Sequence, residues 1–341
     1  MNRRLFLGTT IPLGLGMAAG LSPLEILTAE ESSPSDHDIT VEGIRIINKT
    51  PGVEYIILPS QERALKHLKD GLLRKALTEA GHKEDFFEDP RFVLYLNVFG
   101  RRKRPKGVRH QRGSYEQSYE QIKEAYHLED KKRMAFAFYL ENSEVLERAE
   151  RQFQIPRQHI AGLIGIETSF GTYLGEYDFF NAGVSNYLRM NKEGFFKRDW
   201  SRKQLLLGMP ELKKIGLAPL DTRSSYATAV GPAQFIFTTY AEGHFVSSDP
   251  NRQPNVFHMH DSIFSAANLL SNYGWRGLSG EVKKDSPAWR ALQRYNGCIG
   301  HPAGDYRRDH YPNLVVELGD HLQAQIKTAQ DMTRTLNHSK I

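Results

Sequence analysis

A single cysteine, Cys298, occurs in 341 residues. One thiol can form neither an internal disulfide nor an all-cysteine metal cluster. The charge is nearly balanced, 45 Lys and Arg against 40 Asp and Glu for a net +5. That excess permits attraction to anionic polymers but is too small to indicate nucleic acid by itself. After the first thirty residues no apolar run approaches the ~18–20 residues that span a bilayer. There is no phosphate-cradling glycine loop, no dinucleotide fingerprint and no G-x-S-x-G elbow, so no cofactor is expected. Internal repeats and sustained two-residue alternation are also missing. What is present is an ordinary globular composition, 40% hydrophobic and 25% charged. Its length suits about two domains.

The N-terminus carries Asn2-Arg3-Arg4-Leu5-Phe6-Leu7-Gly8, two adjacent arginines before a weakly apolar stretch, Leu5–Leu21, that contains Pro12. This resembles a twin-arginine export signal, whose substrates cross a membrane already folded. Residues 1–29 are therefore expected to be an export signal, either removed or kept as an anchor. The stretch has no cysteine, so it is not a lipoprotein leader. The expected location is the periplasm.

Residues 30–59 are polar at first, through Ser32-Ser33-Pro34-Ser35-Asp36, and are expected to be a tether or poorly ordered segment, with at most a small sheet near 42–58. From Ser60 the apolar residues recur at helical steps: Leu65, Leu68, Leu72, Leu73 and Leu77, then Ala135, Phe138, Tyr139, Val145, Leu146 and Ala149. Residues 60–150 thus form a helical N-terminal part, 151–330 a core and 331–341 a tail. The run Arg101-Arg102-Lys103-Arg104-Pro105-Lys106-Gly107 is a cationic loop. It is either simply solvated or a peripheral contact with the envelope membrane or acidic wall polymer; without interleaved aromatics it is not a nucleic-acid site.

The most informative helix is 160–171. Ile160, Leu163, Ile164 and Glu167 fall at i, i+3, i+4 and i+7, so one carboxyl extends an apolar stripe. Buried there, it must either find a cation or keep its proton, which suits a general acid. At a frayed helix end it would instead face solvent. His258, His260 and Asp261 have a spacing seen in zinc sites, but no distant ligand set accompanies them, and a loop entering a helix with Asp261 as its cap is the preferred reading.

The string Glu167-Thr168-Ser169-Phe170-Gly171 resembles the E-T-x-x-G signature of the membrane-bound lytic transglycosylase B family, of lysozyme-like fold. Ser225-Tyr226-Ala227-Thr228-Ala229-Val230-Gly231-Pro232-Ala233-Gln234-Phe235 is similar to that family's S-Y-A-x-A-x-G-x-x-Q-F block. Asp261-Ser262-Ile263 through Asn268, and Arg294-Tyr295-Asn296, resemble two later blocks. The resemblance implies a mainly α protein, a lysozyme-like catalytic domain with an additional helical N-terminal subdomain. It implies Glu167 as the single catalytic acid and base. Ser225, Gln234, Tyr295, Asn296 and Tyr311 would line the substrate cleft. About ten extra residues, Gly297–Arg307, separate Tyr311 from Tyr295-Asn296. The partner would be peptidoglycan glycan strands, attacked by a monomer.

Two departures stand out. Where the family has two arginines on the acceptor side of the cleft, this chain has Lys192 and Glu193; the resemblance implies Lys192 as the substrate-binding cation that is kept, and Arg189 as a substitute for the other after a small shift. The stretch Ser247–His258 corresponds to a calcium loop in some members but lacks its first Asp, central Gly and final carboxylate, so no metal is expected. The reaction implied is non-hydrolytic: cleavage of the MurNAc–GlcNAc β-1,4 bond with closure of a 1,6-anhydromuramoyl ring. A hydrolytic muramidase with Glu176 or Asp178 as second carboxylate, and a non-catalytic wall-binding protein, are the competing readings.

Overall fold

The structure, a computed structural model, describes residues 39–50, 52–82, 85–103, 115–191, 194–278, 281–302 and 305–338. The expected export signal, the tether up to residue 38, most of the cationic loop and Lys192 lie outside the described residues. The protein is mainly helical with a few short strands. Among the described residues no helix is long and apolar enough to cross a membrane.

The chain divides into two compact units, each discontinuous in sequence. Among the described residues, one joins 115–176 to 223–338; the other joins 39–103 to Tyr177–Thr222. The chain leaves the first unit at Glu176 and re-enters it at Arg223, so each unit combines parts of the stretches 60–150 and 151–330.

In the second unit, part of the expected tether is ordered structure. Ile39–Val41 pairs antiparallel with Ile44–Ile47, which pairs parallel with Val93–Tyr95. Glu42 and Gly43 both have positive φ, as a tight two-residue hairpin requires. Ile44 and Ile46 point inward and are buried, while Arg45 faces out. The parallel partner, Val93–Tyr95, is distant in sequence, so this pairing could not be read locally. That strand lies on the helix Phe179–Tyr187, where Ser185 Oγ accepts from the Tyr95 N–H at 2.8 Å. Phe86, Phe87 and Phe92 surround Phe180, with ring centroids 5.0, 5.5 and 6.0 Å away.

In the first unit the helix Arg157–Thr168 is enclosed along nearly its whole length. It packs on the helices Leu128–Glu141, Ser143–Phe153, Met259–Asn272 and Tyr306–His338. The closest crossing is with the last of these. A Cβ on Gly162 would fall 2.8 Å from the Val315 carbonyl oxygen, and one on Gly319 would fall 2.7 Å from His159 Cδ2. Two helices therefore touch backbone to backbone where neither has a side chain.

Candidate active site

The helix Arg157–Thr168 follows Pro156, which serves as its N-cap, and its first free N–H, that of Arg157, is met by Glu150 Oε1 at 2.9 Å. It ends in three successive residues of positive φ: Ser169, Phe170 and Gly171. Such a run is costly for side-chain-bearing residues and needs outside support. Thr168 supplies it. Its hydroxyl donates to the Pro232 carbonyl at 2.8 Å and accepts from the Gly171 N–H at 3.0 Å. The Thr and the Gly of the first motif thus tie the end of this helix to the second motif. Glu167, in the last turn, is held at that junction.

The second motif is a tight loop. Ser225 Oγ accepts from the N–H groups of Ala227 and Ala229 at 3.2 and 3.1 Å. Gly231 has φ +71, and a Cβ there would sit 1.9 Å from the Val256 carbonyl oxygen. Gln234, also at positive φ, donates through Nε2 to the carbonyls of Gly231 (3.1 Å) and Leu174 (3.4 Å). Ser225 and Gln234 therefore first hold their own loop; the Ser225 hydroxyl proton stays available to a ligand.

The aromatic residues close around the carboxyl. The extra segment after Asn296 winds through a short 3-10 turn, Cys298–Gly300, and the chain then enters Tyr306–His338, which carries Tyr311. Tyr311 is fully buried and its hydroxyl donates to Glu167 Oε1 at 2.5 Å. Burial first, and the Glu167 charge second, push its phenol well above its ordinary value, so it remains a donor. The Tyr295 ring lies parallel behind it, centroids 6.5 Å apart and planes 6° apart, and its hydroxyl donates to the Ala233 carbonyl at 2.7 Å. Asn296 ends the helix Pro287–Asn296, which also carries Tyr295, with a buried Oδ1 that has no hydrogen-bond partner among the described residues.

Two members of this cluster were not found from sequence. Burial of the Tyr126 hydroxyl, and then the Glu167 charge, raise its pKa. The Lys131 ammonium is lowered to about 8 by burial, an effect Glu167 opposes. A lysine read alone is assigned to the surface; its place on the stripe Leu128, Lys131, Ala135 and Phe138 was the signal available. Of the proposed second carboxylates, Asp178 accepts from the Tyr95 hydroxyl at 2.6 Å within the other unit, and Glu176 is exposed. Cys298 is buried, and burial pushes its thiol up to about 12, so it is no nucleophile at neutral pH.

A family model described as the transglycosylase SLT domain matches residues 78–292. The chain belongs to the transglycosylase SLT domain family. It is 25% identical over 138 residues to the membrane-bound lytic murein transglycosylase B of Escherichia coli, a match spanning 40% of this chain and only 37% of that relative's length. The fold is similar to that of the Escherichia coli lytic transglycosylase Slt35 solved with calcium (TM-score 0.53, 16% identity, 78% of this chain and 93% of that one). It is also similar to SltB3 of Pseudomonas aeruginosa solved with NAG-anhNAM-pentapeptide (TM-score 0.55, 15% identity, 78% and 80%).

In this SLT-family chain the residues at the calcium-loop position do not fit a divalent cation. Asp261 is fully buried, and it does not cap its helix, whose N-cap is His258. Its carboxylate turns back into the loop and accepts from Ser248 N and Oγ (both 2.8 Å), Asn255 N (2.8 Å) and Arg252 Nη1 and Nη2 (2.9 and 2.7 Å). Burial works to raise this carboxyl, but Arg252 and the Ser248 and Asn255 donors outweigh it and hold it below the usual range. A guanidinium already occupies its lone pairs. Among the described residues no group of three His, Cys, Asp or Glu side chains could hold a metal.

Proposed function

We propose that this protein is a peptidoglycan lytic transglycosylase that uses Glu167 first as acid and then as base. The observation that carries this reading is the Tyr311 hydroxyl on the Glu167 carboxyl, at the end of an enclosed helix in a transglycosylase-family chain. Glu167 gives its proton to the oxygen linking MurNAc to GlcNAc, and the C1–O bond breaks. Its carboxylate then takes the proton of the muramoyl C6 hydroxyl, whose oxygen bonds to C1 and closes the 1,6-anhydro ring. No water is consumed and Glu167 regains its proton. One carboxyl suffices because the nucleophile belongs to the substrate and is already oriented.

In this reading Ser225, Gln234, Asn296 and Lys192 meet the glycan, and Tyr295 backs the Tyr311 ring. The orphan Asn296 oxygen supports a sugar hydroxyl or amide as its missing donor. Residues 1–29 direct export to the periplasm by the twin-arginine route, and the enzyme acts there as a monomer.

The test is digestion of purified sacculi by the protein without residues 1–29, beside Glu167→Gln. Products ending in 1,6-anhydromuramic acid, at least about 100-fold fewer with the variant, are expected for loss of a general acid–base group. Products one water heavier would replace this reading by a hydrolytic muramidase. Binding without products would leave only a wall-binding role.

A further inference from the structure

Lysine is among the residues least often buried, yet Lys131 is only 6% exposed. On the helix Leu128–Glu141 it belongs to the stripe Leu128, Lys131, Ala135 and Phe138, all buried. That stripe faces the helix of Glu167: the Phe138 ring lies 4.8 Å, centroid to centroid, from that of Phe170, three residues past Glu167. A leucine or methionine would fill the Lys131 position with no charge to desolvate. Among the described residues its ammonium makes no hydrogen bond, and no carboxylate lies within ion-pair distance. Its Nζ lies 5.8 Å from the centre of the Tyr126 ring, a weak cation–π partner. An enclosed cation with so little local compensation is held for what its field does nearby.

We infer that Lys131 is a positioning residue that acts through Glu167, its buried ammonium setting the pH range over which that carboxyl can hand over its proton. The inference rests on the reading of Glu167 as the acid and base.

The groups around Lys131 leave this pair unbalanced. The helix Arg157–Thr168 contributes Glu167, and the helix Tyr306–His338 contributes Tyr311. The turn after the helix Tyr115–Ala125 contributes Tyr126. Both phenols stay neutral, since burial and the Glu167 charge raise them. Three carboxylates on the packed helices are already paired: Glu317 accepts from Lys132 and Tyr119 and pairs with Lys123, while Glu147 and Glu150 pair with Arg157. His310 is kept neutral by burial, which lowers it to about 4. The Lys131 ammonium therefore favours the ionised Glu167. Its positive charge makes the carboxyl a stronger acid and stabilises the anion left after the proton moves. Desolvation lowers Lys131 itself to about 8, so the field weakens as the pH passes that point.

The test compares the pH dependence of kcat/KM for wild type, Lys131→Met and Lys131→Arg on one soluble glycan, with Glu167→Gln in parallel. In Lys131→Met the alkaline limb should move up by about half a unit or more, since losing an opposite charge favours the protonated acid. KM should change less than about twofold, and Lys131→Arg should return the limb to its wild-type position, because guanidinium keeps the charge. If the limb stays in place in Lys131→Met, or if KM alone rises, the inference is overturned and Lys131 is structural or a substrate contact. If Lys131→Met does not fold, Lys131→Gln removes the charge with a polar end and is read in the same way. If Glu167→Gln keeps wild-type activity, it is the Glu167 reading that fails.

Discussion

At the scale of single residues, Glu167 and Tyr311 form the decisive contact, and it joins two chain segments 144 residues apart. The phenol does two things for the carboxyl. It fixes one oxygen, and it favours the charged form, as any donor to a carboxylate does. Tyr311→Phe keeps the ring and its parallel contact with Tyr295 but removes the donor. The folded protein should melt within about 2 °C of wild type, as expected for loss of roughly one modest hydrogen bond. The rate of anhydro-product release should fall about tenfold, the equivalent of ~1.4 kcal/mol in the barrier, measured with saturating sacculi. Residues of this kind differ in how far the sequence exposes them. Glu167, Ser225 and Gln234 stand in motifs whose spacing is itself the signal. Tyr311 follows an insertion that hides its register, and the structure absorbs that insertion in the segment around Cys298–Gly300 ahead of the helix. Lys131 and Tyr126 belong to no motif, and only three-dimensional packing brings the ammonium and the phenol to bear on Glu167.

At the scale of elements, the loop 247–258 and the helix Met259–Asn272 form one construction around the Asp261 carboxylate. Five donors converge on two oxygens, and one donor group is a tethered cation. The loop should therefore hold its shape without added metal. Melting curves recorded with millimolar calcium and with EDTA should superpose within about 1 °C, since a ligand that does not bind cannot shift the folding equilibrium. Asp261→Ala strips the loop of its organising group and leaves the Ser248 and Asn255 donors unpaired, while Arg252, 36% exposed, can turn to solvent. It should cost about 2–3 kcal/mol, the order expected for loss of hydrogen bonds to a charged group. From the sequence, the carboxylates missing at the loop's ends were legible. That Arg252 had taken the cation's place was hidden, because an arginine in a polar loop reads as solvated until its partner is known to be buried. The strand Ile44–Ile47 was legible as part of a small sheet near 42–58, but its parallel partner Val93–Tyr95, about fifty residues away, was not.

At the scale of the whole molecule, burial of a histidine beside the candidate site links folding to acidity. His310 is lowered from its ordinary 6.5 to about 4, by burial first. Above about pH 6.5 neither folded nor unfolded chain carries a proton there and stability is complete. Between 6.5 and 4 the unfolded chain takes up a proton that the folded chain refuses, so stability falls with falling pH. The full loss is roughly 3–4 kcal/mol, and replacing His310 by Phe should flatten that part of a urea-unfolding series measured from pH 7 to 4. The two units were also out of reach of a linear reading, since each is assembled from separate stretches of chain. Where Gly162 meets Val315 and Gly319, the distance between the helices of Glu167 and Tyr311 is set by the absence of side chains. Chemistry at this site thus depends on positions that carry none. A lineage in which Gly162 became valine would keep every recognisable catalytic letter and yet draw the phenol away from the acid. Its decay would be invisible to anyone comparing motifs, and legible only to someone measuring how closely two backbones can approach.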